Sequence, residues 1–379
     1  MKIAFLTVVN PLTIASWSGT MHFLIRSLEE KGHEVTIINQ FSYKADLQTK
    51  FLNKFYNKVL KKSFSVNRTK SFNKAIAKEL ETRQLDTYDF ILCPSTIPVA
   101  YIKTTSPIIV YTDAVFAAMV NFYASFRNLS KRTRNDANFI ERKSLENASL
   151  VCFSSEWAKN GAMRFYGIPE QKIKVVPFGA NFSATANLDV YAEIQARPKK
   201  LLRFLWVGVD WIRKGGQLAF EIAQYLHYKG VDVQFDVVGV TPNLPPNSFT
   251  TCHGFLRKSD PMETNKLQRL FLESHFLLLP SYADCSPIVF CEAAAFGLPV
   301  VAFDVGGIAT TVLHNRTGLL FSLKTEAETF AEAILSLFSD KKEYQMMAQE
   351  ARNRYENVLN WQTVADTLVE QVKQLKNNL

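Results

Sequence analysis

The sequence predicts an α/β protein made of two doubly wound domains, each with a parallel sheet. Three observations support this fold class. A chain of 379 residues is too long for one ordinary core. Short, continuous apolar runs alternate with longer amphipathic segments, as in parallel strands that helices cover on both faces. The alternation stops near residue 178 and restarts near residue 202, so two facing domains with a cleft between them are expected.

The first half opens with a continuous apolar strand, Met1–Val9, and then a loop and a helix from Ser18 to Leu28. Glu34–Asn39 is the second strand. A strand–loop–helix–strand opening of this kind is Rossmann-like. Later apolar runs predict four more strands, and the segments between them predict three helices. The strands are expected at 88–93, 107–112, 150–154 and 173–177, and the helices at 70–84, 135–147 and 155–166.

The second half repeats the pattern after a polar stretch, 178–200, which is interpreted as the linker. A strand, a loop and a helix follow at 202–207, 208–216 and 217–228. Further strands are expected at 233–238, 249–254, 276–281 and 298–303, with a helix at 261–273 and a final amphipathic helix at 361–375. The expected domains are 1–180 and 181–360, followed by a crossover segment, 361–379.

Composition excludes several classes of protein. Hydrophobic residues make up 47% of the chain and charged residues 21%, as in folded soluble proteins. The five cysteines form no CxxC pair and have no histidine at ligand spacing, so neither a zinc site nor a disulfide framework is expected, and a reducing cytosol fits best. The apolar run Ile3–Val9 is too short for a membrane span and lacks a cleavage pattern. We interpret it as a buried strand.

The net charge of +9 is concentrated in the first half of the chain. Eleven basic and three acidic residues lie between Phe41 and Arg83. Within this segment, the five lysines of the Lys50–Lys62 region fall on one helical face, beside Phe51, Phe55 and Val59. Such a helix suits an anionic membrane surface, although its apolar side could instead pack on its own domain. Nucleic-acid binding is not expected, because no recognised module is present.

The densest chemical pattern runs from Asp284 to Glu292, between a predicted strand and a predicted helix. Pro287 is expected to be the first helical residue, where its missing N–H costs nothing. The helix start would then offer backbone donors to a phosphate. These donors belong to the segment Ser286, Pro287, Ile288 and Val289. An anion cradle with a carboxylate on each side suits a nucleotide sugar, whereas the alternative is an ordinary helix that starts with Ser-Pro.

A second cluster follows the strand at 202–207. Gly208 opens a loop that contains Arg213 and Lys214 and ends in two glycines. An arginine fork beside a lysine point charge, at the carboxyl end of a strand, suits a diphosphate. The alternative is a solvated turn.

Three more positions stand in loops that are expected to follow strands. Gly306 and Gly307 leave room for a ligand beside the backbone, and Gly19 permits close approach of a ligand or marks a tight helix start. Asp113 ends a predicted strand that faces the cleft. Its carboxylate could bind sugar hydroxyls or cap the next helix.

Together these motifs resemble those of the retaining glycosyltransferases of family 4, which adopt the GT-B fold. The stretch from Asp284 to Glu292 resembles the acidic E-x7-E signature, with Asp in place of the first Glu. Arg213-Lys214-Gly215 resembles the donor-phosphate loop. Two further positions depart from the family: Val209 stands where an Arg is common, and Asp113 where many relatives have a His. The resemblance covers nearly the whole chain.

The resemblance implies glycosyl transfer, with retention, from a UDP- or GDP-linked sugar to a hydroxyl acceptor on a glycan, lipid or other molecule. Glu292 would accept hydrogen bonds from ribose, and Asp284 and Asp113 would contact the sugar. Arg213, Lys214 and the helix amides would stabilise the leaving diphosphate. No metal and no cofactor is implied.

The expected role is cell-surface glycan or glycolipid synthesis in the cytoplasm, with peripheral contact at the inner membrane face. Two alternatives stay open. One is a sugar-nucleotide epimerase of the GT-B fold, which acts without an acceptor. The other is a catalytically degenerate protein that binds a glycan or scaffolds a complex.

Overall fold

The computed structural model of the protein describes residues 1–13, 16–45, 47–182, 188–198 and 200–377. The chain divides into two compact units. The first unit is Met1–Pro177 together with Val364–Leu379, and the second is Phe178–Thr363. Each unit contains a six-stranded sheet in which every strand pair is parallel. The predicted fold class is therefore confirmed.

The first unit has the strand order β2-β1-β3-β4-β5-β6. Its strands are β1 Lys2–Leu6, β2 Glu34–Ile38, β3 Phe90–Cys93, β4 Ile108–Thr112, β5 Leu150–Phe153 and β6 Ile173–Val175. Its helices are α1 Thr20–Glu30, α2 Leu47–Lys58, α3 Lys70–Leu80, α4 Phe116–Met119, α5 Lys131–Asn147 and α6 Glu156–Tyr166. Every residue of β3, β4 and β5 is buried, which explains their uninterrupted apolar sequences.

The second unit has the strand order β12-β11-β10-β7-β8-β9. Its strands are β7 Leu202–Val207, β8 Val233–Val238, β9 Thr250–Cys252, β10 Phe276–Leu278, β11 Val300–Phe303 and β12 Gly318–Phe321. Its helices are α7 Val190–Ala196, α8 Gly216–Tyr228, α9 Pro261–Glu273, α10 Ile288–Ala295, α11 Ile308–Thr311, α12 Ala327–Ser339 and α13 Lys341–Asn357. A last helix, α14 Trp361–Asn377, begins in the second unit and continues into the first.

The predicted linker, 178–200, is wrong in part. Residues 183–187 and 199 lie outside the described residues, but the rest of the stretch belongs to the second unit and contains α7. The Asp189 carboxylate caps this helix by accepting from the Ala192 amide at 3.1 Å. Val190 and Ile194, four positions apart, are buried against Ala348. The polar composition of the stretch concealed this short apolar stripe.

The first helix starts two residues later than predicted, at Thr20. Three consecutive residues before it adopt left-handed backbone angles, with φ of 48° at Trp17, 56° at Ser18 and 84° at Gly19. Glycine tolerates this conformation, whereas Trp and Ser are strained in it. The loop after β1 therefore holds its shape against a local conformational cost.

Candidate functional site

The second sheet has a topological switch point between β7 and β10. The chain runs from β7 outward to β8 and β9, and then returns to place β10 on the other side of β7. The loops at the carboxyl ends of such neighbouring parallel strands open a crevice, which is where doubly wound sheets bind ligands. The loops after β7 and β10 carry the two motifs that the sequence singled out.

A cluster of charged side chains joins these two loops. The Lys214 ammonium contacts Asp284 Oδ2, and Arg213 Nη1 lies 3.6 Å from the same oxygen. Arg213 also donates to the Ala283 carbonyl at 2.9 Å and, through Nε, to Asp210 Oδ2 at 3.1 Å. The side chains of Lys214 and Asp284 are 13% and 10% exposed. Two cations thus meet the nearly buried Asp284 carboxylate at the switch point, and the half-exposed Asp210 carboxylate adds a second partner for Arg213.

Glycines allow the backbone to pack closely around this cluster. Gly215 has a φ of 66°, and a Cβ there would lie 2.0 Å from the Pro280 carbonyl oxygen. A Cβ at Gly239, whose φ is 104°, would lie 2.2 Å from the Gly208 carbonyl oxygen. Any larger residue would therefore push these loops apart. The short loop after β8 is held against the loop after β7 in this way.

The helix α10 begins at Ile288, one residue later than predicted. Pro287 has a φ of −72° and a ψ of 107°, and its carbonyl accepts from the Phe290 amide at 2.9 Å. It therefore occupies the N-cap position, where the backbone is extended but the carbonyl already bonds into the helix. The amides of Ile288 and Val289 lie in the first turn, where helical N–H groups have no acceptor within the helix. Ser286, just before it, donates its hydroxyl to the Cys285 carbonyl at 2.7 Å.

The glycine loop after β11 approaches the same cluster. The Gly307 amide donates to the Asp284 carbonyl oxygen at 3.2 Å, and Gly306 has a φ of 58°. The carbonyl oxygen of Asp284 is thus bonded to Gly307 in the loop after β11, and that of Ala283 to Arg213 in the loop after β7. The backbone at Asp284 is therefore held by the loops after the two strands that flank β10.

The second carboxylate of the motif, Glu292, has a partner that the sequence did not reveal. The Lys258 ammonium contacts Glu292 Oε1. Glu292 lies in α10 and its side chain is only 3% exposed. Lys258 follows Arg257 and Gly254 in the loop between β9 and α9. Two adjacent basic residues near a glycine are the sequence pattern that could have indicated Lys258 as a site residue. The same signal had identified Arg213 and Lys214.

The thiol of Cys291 lies beside Glu292 in α10. Burial raises the pKa of the Cys291 thiol far above its ordinary value, and the neighbouring Glu292 adds to this effect. The thiol is therefore neutral and is a poor nucleophile. Within the described part of the chain, no group of three or more His, Cys, Asp or Glu side chains is placed to hold a metal ion.

The two remaining predicted residues lie in the first unit. Gly19 is in the loop after β1, and Asp113 directly follows β4 and is half-buried. The alternative that Asp113 caps the next helix is wrong. The helix α4 starts at Phe116, and its N-cap is Val115, which makes no side-chain cap. The other predicted residues all lie in the second unit.

The apolar surface of α2 is divided: Leu52 and Tyr56 are half-buried, and the Tyr56 ring stacks on Phe64 of the same unit at 5.6 Å between centroids, whereas the other apolar residues are exposed to solvent. Leu47 is 85% exposed, Phe51 67%, Phe55 36% and Val59 64%. These residues recur every four positions, so they form one stripe along the helix and its end. No helix in the described ranges combines the length and apolar character that spanning a bilayer requires.

Comparison with known families covers both units. The family described as "Glycosyltransferase Family 4" matches residues 20–183, and that described as "Glycosyl transferases group 1" matches residues 190–354. The chain belongs to glycosyltransferase family 4. A D-inositol 3-phosphate glycosyltransferase of Rhodococcus opacus is 34% identical over 110 residues. The match covers 29% of this family 4 chain and 24% of that relative, so it concerns about a quarter of the relative's length.

Solved structures of low sequence identity share the fold of this family 4 chain over its full length. Sucrose-phosphate synthase from Thermosynechococcus elongatus is 19% identical with a TM-score of 0.66, and the match covers 100% of both chains. The Anabaena protein HepE, solved in complex with UDP-glucose, is 17% identical with a TM-score of 0.63, covering 99% of this chain and 100% of that one. The predicted GT-B fold is confirmed.

Proposed function

We propose that the protein is a nucleotide-sugar-dependent glycosyltransferase that moves a hexosyl group, with retention and without a metal, from a UDP- or GDP-linked donor to a hydroxyl acceptor. The observation that carries the proposal is the pairing of Asp284 with Lys214 and of Glu292 with Lys258 at the switch point of the second sheet. The relation in fold to HepE, a protein solved with UDP-glucose, supports the choice of donor class. Cell-surface glycan or glycolipid synthesis is the proposed setting.

The cations of the switch point are suited to the diphosphate of such a donor. An ammonium carries three donor hydrogens and a guanidinium five. Lys214 and Arg213 can therefore keep their contacts to Asp284 and still bond to phosphate oxygens. The first-turn amides of Ile288 and Val289 add donors at the positive end of a helix dipole. Asp284, which faces both cations, orients them and leaves its outer edge for a sugar hydroxyl, while Glu292 accepts from the ribose.

The proposed chemical step exchanges one bond at the anomeric carbon for another. The bond from this carbon to the diphosphate oxygen breaks, and a bond to the acceptor oxygen forms on the same face. The acceptor's proton passes to the departing phosphate oxygen. Arg213 and Lys214 stabilise the negative charge that develops on the diphosphate. Retention rests on the family resemblance, in which many relatives have a His at the donor sugar where this chain has Asp113. We propose that Asp113 makes that contact here.

The test is release of nucleoside diphosphate from a panel of UDP- and GDP-linked hexoses, with and without a membrane lipid extract and with EDTA throughout. Release from one donor, increased by the extract, is the expected result, and NMR of the product should show the donor's anomeric configuration. A Lys214→Met variant should lose the release. Conversion of the donor without an acceptor would instead establish an epimerase, and binding without turnover would leave a binding protein.

The same proposal places the acceptor at an anionic membrane surface reached by α2. Its exposed stripe of Leu47, Phe51, Phe55 and Val59 lies beside Lys50, Lys54 and Lys58, and Lys61 and Lys62 follow. No acidic residue occurs from Leu47 to Lys62. A helix with apolar side chains next to basic ones lies in the plane of a membrane interface, where anionic lipids attract the lysines.

Vesicle flotation tests the membrane contact. The protein should float with vesicles that contain phosphatidylglycerol and not with neutral phosphatidylcholine vesicles. Changing Lys50, Lys54 and Lys58 to Gln should weaken binding on the order of a hundredfold, since each lysine near an anionic surface contributes about 1 kcal/mol. The matched control changes three exposed lysines of the second unit, Lys324, Lys341 and Lys342. Equal binding by both triple variants would contradict the role of α2.

A further inference from the structure

A buried carboxylate in the first unit joins two loops at the carboxyl edge of its sheet. Glu141 lies in α5 with a side chain 2% exposed. Its Oε2 accepts from the Thr96 hydroxyl at 2.6 Å, and its Oε1 accepts from the Phe116 amide at 3.0 Å. Thr96 belongs to the loop after β3, and Phe116 starts the helix after β4. One side chain therefore spans two neighbouring strand ends.

Other side chains of α5 fasten the loop after β3. Ser144 donates to the Thr96 carbonyl oxygen at 2.8 Å. The Asn147 amide donates to the carbonyl oxygens of Val99 and Ile102, each at 2.9 Å. With Glu141, these residues recur every three positions along one face of α5. The helix thus sets the position of the loop after β3, and only Glu141 among these three also reaches the segment after β4.

An arginine completes the cluster. Arg68 Nη1 lies 3.8 Å from Glu141 Oε2, and its guanidinium lies 4.8 Å from the centroid of the Phe116 ring. Burial raises the pKa of Glu141, while Arg68 and the two hydrogen bonds oppose that shift. Burying the Glu141 carboxylate away from water costs desolvation free energy. A carboxylate at this position despite that cost indicates that both of its acceptor oxygens are required.

We propose that Glu141 is a positioning residue that holds the Asp113 segment in place for glycosyl transfer. The inference rests on the proposed function, in which Asp113 contacts the donor sugar. Asp113 stands three residues before Phe116, on the short connection between β4 and α4. The hydrogen bond from the Phe116 amide to Glu141 fixes the far end of this connection, and β4 fixes the near end. Loss of that bond weakens the hold on this end of the segment, where the Ala117 amide also donates to the Tyr166 hydroxyl at 3.1 Å.

The variant Glu141→Leu tests the inference, because a leucine side chain offers no acceptor to either donor, whereas a glutamine could accept from Phe116 and donate to the Thr96 hydroxyl. The matched control is Asp136→Leu. Asp136 is a buried carboxylate of the same helix, but it accepts from Arg132 at 2.9 Å. In Glu141→Leu, amide hydrogen exchange of residues 113–119 should accelerate at least tenfold. The kcat for the donor should fall about tenfold, with its KM changed less than twofold. The control should match the wild-type protein in both measurements.

A double variant shows whether Glu141 acts through Asp113. On an Asp113→Ala background, Glu141→Leu should change kcat less than twofold, because the positioned group is already gone. An equal loss on both backgrounds would overturn the inference, as would unchanged exchange at 113–119. If Glu141→Leu fails to fold, Thr96→Val removes one hydrogen bond to Glu141 at similar volume. It should produce a smaller change of the same kind, and no change would count against the inference. A wild-type protein without turnover would refute the proposed function, and the exchange measurement alone would then decide whether Glu141 holds the segment.

Discussion

Lys258 and Glu292 form an ion pair that joins the loop after β9 to the centre of α10. The glutamate side chain is 3% exposed and the lysine 24%. The ammonium also lies 4.7 Å from the centroid of the Phe182 ring. The buried carboxylate is therefore paired with a cation, as buried charges in proteins generally are. Glu292 stands four residues, about one turn, after the start of α10 at Ile288.

Replacing Glu292 by Gln should weaken the binding of UDP or GDP tenfold or more. Hydrogen bonds from ribose hydroxyls to a charged acceptor contribute about 1.5–3 kcal/mol, and the neutral amide loses much of this. Titration calorimetry gives the affinity. Glu263→Gln is the control, since it neutralises a half-buried carboxylate that pairs with Arg257 in the neighbouring loop. Equal affinity in the Glu292→Gln and wild-type proteins would exclude Glu292 from the nucleotide site.

Replacing Lys214 by Met should lower kcat on the order of a hundredfold or more, with a smaller change in the KM of the donor. A preorganised donor to a developing oxyanion contributes about 3–4 kcal/mol to the transition state. Steady-state release of nucleoside diphosphate measures both constants. Lys229→Met, at the exposed end of α8, is the control. A kcat within twofold of the wild-type value would mean that Lys214 serves only to pair with Asp284.

Replacing Gly215 by Ala should lower the free energy of unfolding by about 3 kcal/mol or more, since a left-handed backbone and an overpacked methyl both contribute. The methyl group would lie 2.0 Å from the Pro280 carbonyl oxygen. Gly230→Ala separates the two effects, because Gly230 has a φ of 81° with no atom within 4 Å of a Cβ. It should lower the free energy by about 1 kcal/mol. Urea denaturation measures both, and equal losses would show that the loop relaxes around the methyl group.

Acidification should destabilise the second unit through His275. Burial lowers the pKa of this side chain to about 4, and the nearby Arg197 adds to the shift. Its Nδ1 accepts from the Arg203 amide at 3.0 Å, and its Nε2 donates to the Pro198 carbonyl at 2.8 Å, so the ring is held neutral. The unfolded chain binds a proton near pH 6.5, whereas the folded chain does not until about pH 4.

The contribution of His275 is thus fully present above pH 6.5 and is lost as the pH falls toward 4. Each pH unit in this window removes about 1.4 kcal/mol from the free energy of unfolding. Urea denaturation at pH 7, 6, 5 and 4.5 measures the slope, which His275→Gln should reduce by that amount. Changing the exposed His314 to Gln is the control. A slope unaffected by His275→Gln would mean that another group dominates the acid limb.

The strands were predictable because parallel strands are buried on both faces and leave uninterrupted apolar runs. Phe90–Cys93 and Leu150–Phe153 both follow this rule. Helix bounds were less predictable. The left-handed turn before Thr20 and the N-cap role of Pro287 depend on backbone angles that residue type does not determine. The helix α7 was missed because only two apolar residues, Val190 and Ile194, mark its buried side.

The site was predictable where adjacent residues form a motif and unpredictable where separate segments meet. Arg213, Lys214 and Asp284 stood out by spacing, and the structure brings them together. Lys258 lies 34 positions from Glu292, so only the fold makes them partners. Glu141 gave no signal at all, because a glutamate in an amphipathic helix is ordinarily a surface residue.

The division of the first unit between Met1–Pro177 and Val364–Leu379 orders the events of biosynthesis. The ribosome delivers the whole second unit before it delivers Val364–Leu379. The apolar residues of this segment that become buried are therefore the last part of the first unit's core to arrive. These residues are Val364, Ala365, Leu368, Val369 and Val372. Until then the nascent first unit exposes the apolar surface that these residues will cover. Synthesis of the first unit therefore starts before that of the second unit and is completed after it. For most of translation, chaperones would encounter the first unit in an incomplete state.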